Sequence, residues 1–254
     1  MKRLLIRADD VGYSYAVDLG IARTVHEGLI RSVGVMPNMP EAEHGASLLA
    51  GADIAIGQHT NVCLGEPCAD PKRVGSLLDE RGRFKSSRTF RAAYKEGLDF
   101  VDYDEAVIEA EAQLERFLQI VGREPDYFEA HAVMSESLNR AIEDVALSHG
   151  FRFHEPSFDP TATIACGEGS VRMVMHSMQP GYEPAEAIRQ TVGDMADGET
   201  VIFVCHPGYL DRFILEHSSL TTDRTKEVDA LIDPGLRTWL DERTNLELID
   251  YRDL

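Results

Sequence analysis

Strand-like and helix-like segments alternate along nearly the whole chain, and that alternation restricts the fold more than any other feature. "KRLLIRA" reads as a buried strand and "YAVDLGIARTVHEG" as a helix closed by Gly28. "RSVGVMPN" and "DIAIGQHTNV" are further strands, separated by a helix through "PEAEHGASLLAGA". In "DEAVIEAEAQLERFLQIVG", Val107, Ala110, Leu114, Phe117 and Val121 recur at helical spacing. "PDYFEAH" is a strand, and "SESLNRAIEDVALSHG" a helix with Ser135 or Ser137 as its N-cap. "FRFHE", "VRMVMHS", "ETVIFVCHPG" and "LELIDY" are strands, interleaved with helical "EPAEAIRQTVGDMADG" and "DRTKEVDALIDPGLRTWL". About eight strands, most followed by helices, imply a parallel α/β sheet. A single-domain (β/α) barrel over residues 1–254, closed or distorted, is the expected architecture, with an open doubly wound sheet as the alternative. The segment from Gly65 to Asp102 breaks the rhythm. Rich in Gly, Pro, Ser and charge, it reads as a long lid-like insertion after the third strand, with Gly82, Phe84 and Lys85 as candidate substrate contacts.

Both architectures place ligands at the carboxyl ends of the strands. Asp9 and Asp10 end the first strand, Gln58 and His59 the third, Glu129 and His131 the one after the insertion. His176 ends "VRMVMHS", and Cys205–His206–Pro207–Gly208 ends "VIFVCHPG". Neighbouring side chains on a strand face opposite ways, so Asp9 and Asp10 should not share one environment. Adjacent acids repel and need compensation, which a cation supplies. One carboxylate and two imidazoles from three strands suffice for a divalent metal, and such donors admit zinc, manganese, nickel, cobalt or iron. Plainer readings stand beside this one: Asp-Asp before a glycine as a turn or cap, and "HPG" as a tight turn.

The formal charge of −19 argues against nucleic-acid and anionic-membrane partners. No run approaches the roughly 18 apolar residues of a membrane span. In "MKRLLIRADD" acids interrupt the apolar stretch before a signal-peptide core forms, so a cytoplasmic location is expected. Cys63, Cys68, Cys166 and Cys205 lack zinc-site spacing and read as isolated thiols.

"IRADDVGYS", "GQHTNVCLG", "VGSLLDERGRF", "PDYFEAH" and "VCHPGYLD" occur in an order and spacing that resembles the YdjC-like carbohydrate deacetylases, which include chitooligosaccharide deacetylases. "SLTTDRTKEVDAL" resembles the Arg-containing helix of that family. The resemblance implies a (β/α) barrel and a metal-dependent hydrolase that removes acetyl groups from N-acetylated sugars or oligosaccharides. It implies a divalent ion, zinc or magnesium or another transition metal, held by Asp10, His59 and His131. It also implies Asp9 as general base, His206 as the acid toward the departing amine, and self-association into a homo-oligomer. Asn61 matches the asparagine of the second motif. The fourth motif departs: where the family reads Asp-Ser-His-Gln-His-x-His, this chain reads "EAHAVMS", with Val133 and Ser135 at the later histidine positions. A hydrolase of another amide or ester, or a sugar-binding homologue without turnover, is the alternative.

Overall fold

A computed structural model describes residues 1–154, 161–166 and 169–254. The strands are β1 (Lys2–Val11), β2 (Ser32–Val35), β3 (Ala55–Thr60), β4 (Phe128–Ala130), β5 (Thr163–Cys166), β6 (Gly169–Met175), β7 (Thr200–Cys205) and β8 (Leu246–Ile249). The helices are α1 (Tyr15–His26), α2 (Ala42–Leu48), α3 (Ser87–Lys95), α4 (Tyr103–Val121), α5 (Glu136–Ser148), α6 (Pro184–Asp194), α7 (Arg212–His217), α8 (Thr222–Leu231) and α9 (Pro234–Asp241). All strands join one sheet in the order β4-β3-β2-β1-β7-β6-β5, with β8 beside β1. Every pairing is parallel except the β5–β6 hairpin. The expected barrel is thus present in its distorted form, a curled sheet whose path runs from β4 to β5. β1 is its axis: its first half pairs with β7 and β8, its second half with β7 and β2.

The alternation along β1 separates two environments. Leu4, Ile6 and Ala8 join the core beneath the helices, with Val17, Ile21 and Val25 of α1 and Leu236 and Leu240 of α9. Leu5 faces the inside of the curl, packed with Ala55, Tyr127, Ile202 and Tyr251. Arg7 and Asp9 follow on that same face, so the interior turns from apolar to ionic toward the carboxyl ends.

Several elements differ from expectation. "FRFHE" contributes only a bridge between Phe153 and Phe128, and its Glu155 lies outside the described residues. In α4 the buried face is Ala106, Glu109, Ala110, Gln113, Leu114 and Phe117, while Val107 and Val121 are half-buried. Glu109 and Gln113 are buried because they serve backbone. Glu109 accepts the N–H groups of Cys68 and Ala69, each at 3.0 Å, and Gln113 bonds both N–H and C=O of Asn61. A hydrophobic periodicity cannot reveal such polar members.

The insertion is packed rather than loose. Val74, Leu77, Leu78, Phe84 and Phe90 share a core with α4 and α5. Phe84 is therefore a core residue, and Lys85 donates to the Ser76 carbonyl while lying 4.4 Å over the Phe100 ring. Among the described residues, no helix is long and apolar enough to cross a membrane. Cys63, Cys68 and Cys205 are free thiols, as expected; Cys166 lies on β5.

Candidate metal centre

The site begins with a bulge. β1 pairs Ala8 with Val33 and then Val11 with Val35, so Asp9 and Asp10 together face the single residue Gly34. Asp10 takes a left-handed φ of 79°. Aspartate tolerates that region better than most side chains. The bulge overturns the expectation that the two carboxylates keep separate environments, because a carboxylate oxygen of each lies within 4.8 Å of a His59 ring nitrogen. Carboxylate and ring atoms of Asp10, His59 and His131 converge in one set, and those of Asp9, His59 and Glu129 in an adjoining one. Gly34 makes room for this. A Cβ there would stand 2.9 Å from Glu129 Oε1 and 3.1 Å from His59 Cβ.

His59 Nε2 lies 2.9 Å from His131 Nδ1, His131 Nδ1 lies 3.1 Å from Asp10 Oδ1, and His59 Nε2 lies 3.5 Å from Asp10 Oδ1. Ligand atoms about 2.0–2.2 Å from one ion, at angles between octahedral and tetrahedral, stand about 2.8–3.6 Å apart. The three residues are 1%, 3% and 8% exposed for Asp10, His59 and His131, and Asp10 Oδ1 accepts no hydrogen bond. A buried, unsatisfied carboxylate oxygen beside two imidazole nitrogens fits a cation.

The surrounding charges point the same way. Burial acts to lower both imidazoles, but the carboxylates outweigh it. Asp9 and Glu129 raise His59 to about 10, and Asp10 raises His131 to about 9. Without an ion, the cluster draws positive charge from protons instead. Asp10 itself is held well below the carboxylate range against its burial, first by Arg224 and then by His131. Arg224, 2% exposed, donates from Nη2 to Asp10 Oδ2 at 2.7 Å and leaves Oδ1 facing the imidazoles.

Arg7 forms the floor. It contacts Asp9 through Nη2–Oδ2 at 2.8 Å and Nε–Oδ1 at 2.7 Å, pairs with Glu129, and donates to Tyr251 OH at 2.6 Å. One guanidinium thus serves two carboxylates. Burial raises the Asp9 carboxyl, Arg7 opposes that, and Glu129 adds to it. Glu129 Oε1 also lies 3.2 Å from His59 Nδ1, which leaves Nε2 as the nitrogen facing Asp10.

His206 follows β7 and is half-buried. Desolvation pushes its imidazole down to about 4, with Asp10 and Asp9 opposing. Two expected neighbours stand apart from these groups. Gln58 donates to Thr60 Oγ1 and to the Ala110 carbonyl of α4, while His176 packs against the Phe203 ring at 5.6 Å. Val133 is core, and Ser135 caps α5 while donating to Asp99. The two departures from the fourth motif therefore do structural work. Arg7 and Glu227 had no place in the sequence reading as site residues, and Arg224 entered it only as the arginine of the helix that resembles the family's. The hint for Arg7 was an arginine inside an otherwise apolar strand.

The family described as YdjC-like protein matches residues 3–242. Carbohydrate deacetylase 2 of Listeria innocua serovar 6a is 28% identical over 266 residues, covering 99% of this chain and 98% of that protein. The carbohydrate deacetylase of Geobacillus stearothermophilus is 30% identical over 263 residues, covering 98% and 96%. Among solved structures, an Enterococcus faecalis V583 protein described as a candidate cellobiose-phosphate cleavage protein superposes with a TM-score of 0.82 at 22% identity, covering 99% and 98%. A family 4 acetyl xylan esterase from Clostridium thermocellum, in complex with a cobalt ion, gives 0.51 at 10% identity, covering 99% and 89%.

Proposed function

The chain belongs to the YdjC-like protein family, and from that membership we propose that residues 1–254 form one metal-dependent deacetylase domain acting on N-acetylated sugars or oligosaccharides. One observation carries the reading: the convergence of Asp10 Oδ1, His59 Nε2 and His131 Nδ1 within 3.5 Å of one another. Relatives named carbohydrate deacetylase cover nearly the full chain, and a structural neighbour carries cobalt.

Asp10, His59 and His131 would hold a divalent ion. Two nitrogen donors and one oxygen donor favour zinc or a similar transition metal over magnesium, which prefers oxygen. When bound, such an ion polarises an acetyl carbonyl and lowers the pKa of water. The chain's own groups do the rest. Asp9 is the general base: its Oδ1 is buried, lacks a well-aligned hydrogen bond, and belongs to a carboxyl raised by burial, which suits a group that must hold a proton. Arg7 keeps that carboxylate oriented. His206 is the donor to the departing amine. Its imidazole is neutral at rest, so it is charged within the cycle by the proton that Asp9 takes up. Acetate and a free amino sugar are the products.

The test is acetate release from N-acetylglucosamine oligomers by chelator-stripped protein after adding zinc, cobalt, manganese or magnesium separately. Metal-restored release supports the proposal. Hydrolysis of simple amides or esters but not of acetylated sugars would replace the substrate class. Saccharide binding without release would make the protein a sugar-binding homologue.

A further inference from the structure

Glu227 is a carboxylate with no exposure, one helical turn from Arg224 on α8. Burying such a group is costly, and apolar packing or a glutamine would fill the same space. Burial pushes this carboxyl up to about 7, with the hydrogen bonds of Ser177, Tyr182 and the His206 N–H opposing, and those partners indicate why a carboxylate stands here. Oε2 accepts the backbone N–H of His206 at 2.6 Å. Oε1 accepts the hydroxyls of Tyr182 at 2.8 Å and Ser177 at 2.7 Å. Ser177 Oγ in turn lies 3.4 Å from His206 Nδ1. The Arg224 guanidinium adds a bond to the His206 carbonyl at 3.3 Å. Both backbone groups of His206 are thereby tied to α8, and the Nδ1 edge of its ring is linked to α8 through Ser177.

The direction of these bonds follows from proton counting. A serine hydroxyl has one hydrogen. With Glu227 ionised, that hydrogen goes to its carboxylate and leaves only oxygen lone pairs toward His206, so the ring nitrogen facing Ser177 is the one that carries hydrogen. His206 is then held with Nδ1 protonated, and Nε2 becomes the nitrogen that gains and gives a proton. We propose that Glu227 and Ser177 form a relay that positions His206, setting its tautomer and supporting its charged form while a proton passes through Nε2. Both are positioning residues, since neither needs to touch substrate. The assignment rests on His206 acting as proton donor in the proposed deacetylase.

Two measurements test it. The first needs no turnover: nitrogen-15 NMR of the imidazoles, with the His206 resonances identified by their absence in His206→Gln. Wild-type His206 should be protonated at Nδ1, and Ser177→Ala should redistribute that proton toward Nε2, with Ser177→Thr restoring it. An unchanged tautomer in Ser177→Ala overturns the relay whatever the enzyme's substrate.

The second compares an N-acetylated sugar, whose amine must be protonated to leave, with 4-nitrophenyl acetate, whose phenolate leaves unaided. Losing a positioned acid removes up to about 10²–10⁴ in rate. Ser177→Ala and Glu227→Gln should lower the ratio of amide to aryl-ester turnover by about 10-fold or more, in kcat rather than KM. Proportional loss on both substrates would mark a merely structural role and overturn the relay. If wild type shows the tautomer but releases no acetate from any sugar, the deacetylase reading fails while the positioning stands.

Discussion

Asp10→Asn separates the charge of Asp10 from its shape. Asparagine tolerates the left-handed backbone at this position as aspartate does, so the bulge should persist. Its amide can offer the carbonyl to Arg224 only by turning its NH₂ toward His59 and His131, where Oδ1 now stands within 3.5 Å of both imidazoles. Arg224, at 2% exposure, then loses its carboxylate partner. Removing one member of a buried ion pair costs about 3–5 kcal/mol. Arg224 keeps its bonds to the carbonyls of His206 and Leu220, which places the cost near the lower end, about 3 kcal/mol. For a chain of this size that corresponds to a fall in Tm of about 6–12 °C. Calorimetric melting of chelator-stripped wild type and variant measures it. A parallel zinc titration should show affinity falling by more than the roughly 10–100-fold typical of losing an outer partner of a ligand. Stripped Asp10→Asn melting within about 2 °C of wild type, while still binding one equivalent of metal, would refute both the ion-pair energetics and the ligand assignment.

Asp9→Asn should retain one metal per chain and lose about 10²–10⁴ in turnover; loss of the metal instead would exchange the roles of Asp9 and Asp10. His59→Ala and His131→Ala should each lower metal stoichiometry at fixed concentration, read by elemental analysis, and unchanged content would exclude that residue as a ligand. In stripped protein, His59 and His131 are raised from 6.5 to about 10 and about 9, so their contribution to stability is full below pH 6.5 and is lost as pH rises through those values. Melting temperature should fall across that interval, and zinc binding at pH 7 should release about one proton from the imidazole pair, whose facing nitrogens stand 2.9 Å apart and share a hydrogen, read by calorimetry across buffers; a flat profile with no release would sink the proton-for-metal exchange. His154, buried with neither ring nitrogen hydrogen-bonded, is pushed down to about 4 by burial, then by Arg7 and Arg152. Its contribution is present above pH 6.5 and is lost as pH falls toward 4, so His154→Phe should raise Tm more at pH 5 than at pH 7.5. Equal shifts at both pH values would contradict this.

The elements that the sequence reveals are those whose signal is local. A period of 3.6 marked α4 and a run of apolar residues marked β1 and β7, because burial of one face repeats with the element's own geometry. The rule that parallel strands expose their carboxyl ends then gathered Asp9, Asp10, His59, Glu129, His131 and His206 before any coordinates, together with Gln58 and His176, which the fold turns elsewhere. Where polar side chains take core positions the reading slipped, as with Glu109 and Gln113 on α4. The departures at Val133 and Ser135 turned out to serve packing and capping.

From the sequence by itself come the α/β alternation and the five strand ends with the polar residues standing on them. Tertiary structure alone decided how those residues act together. It set the bulge that turns Asp9 and Asp10 toward one histidine, the pairing of Asp10 with Arg224 across 214 positions, and the hold of Glu227 on a residue 21 positions earlier. Periodicity is a property of neighbours along the chain, whereas a buried charge is satisfied by whatever the closed fold brings beside it.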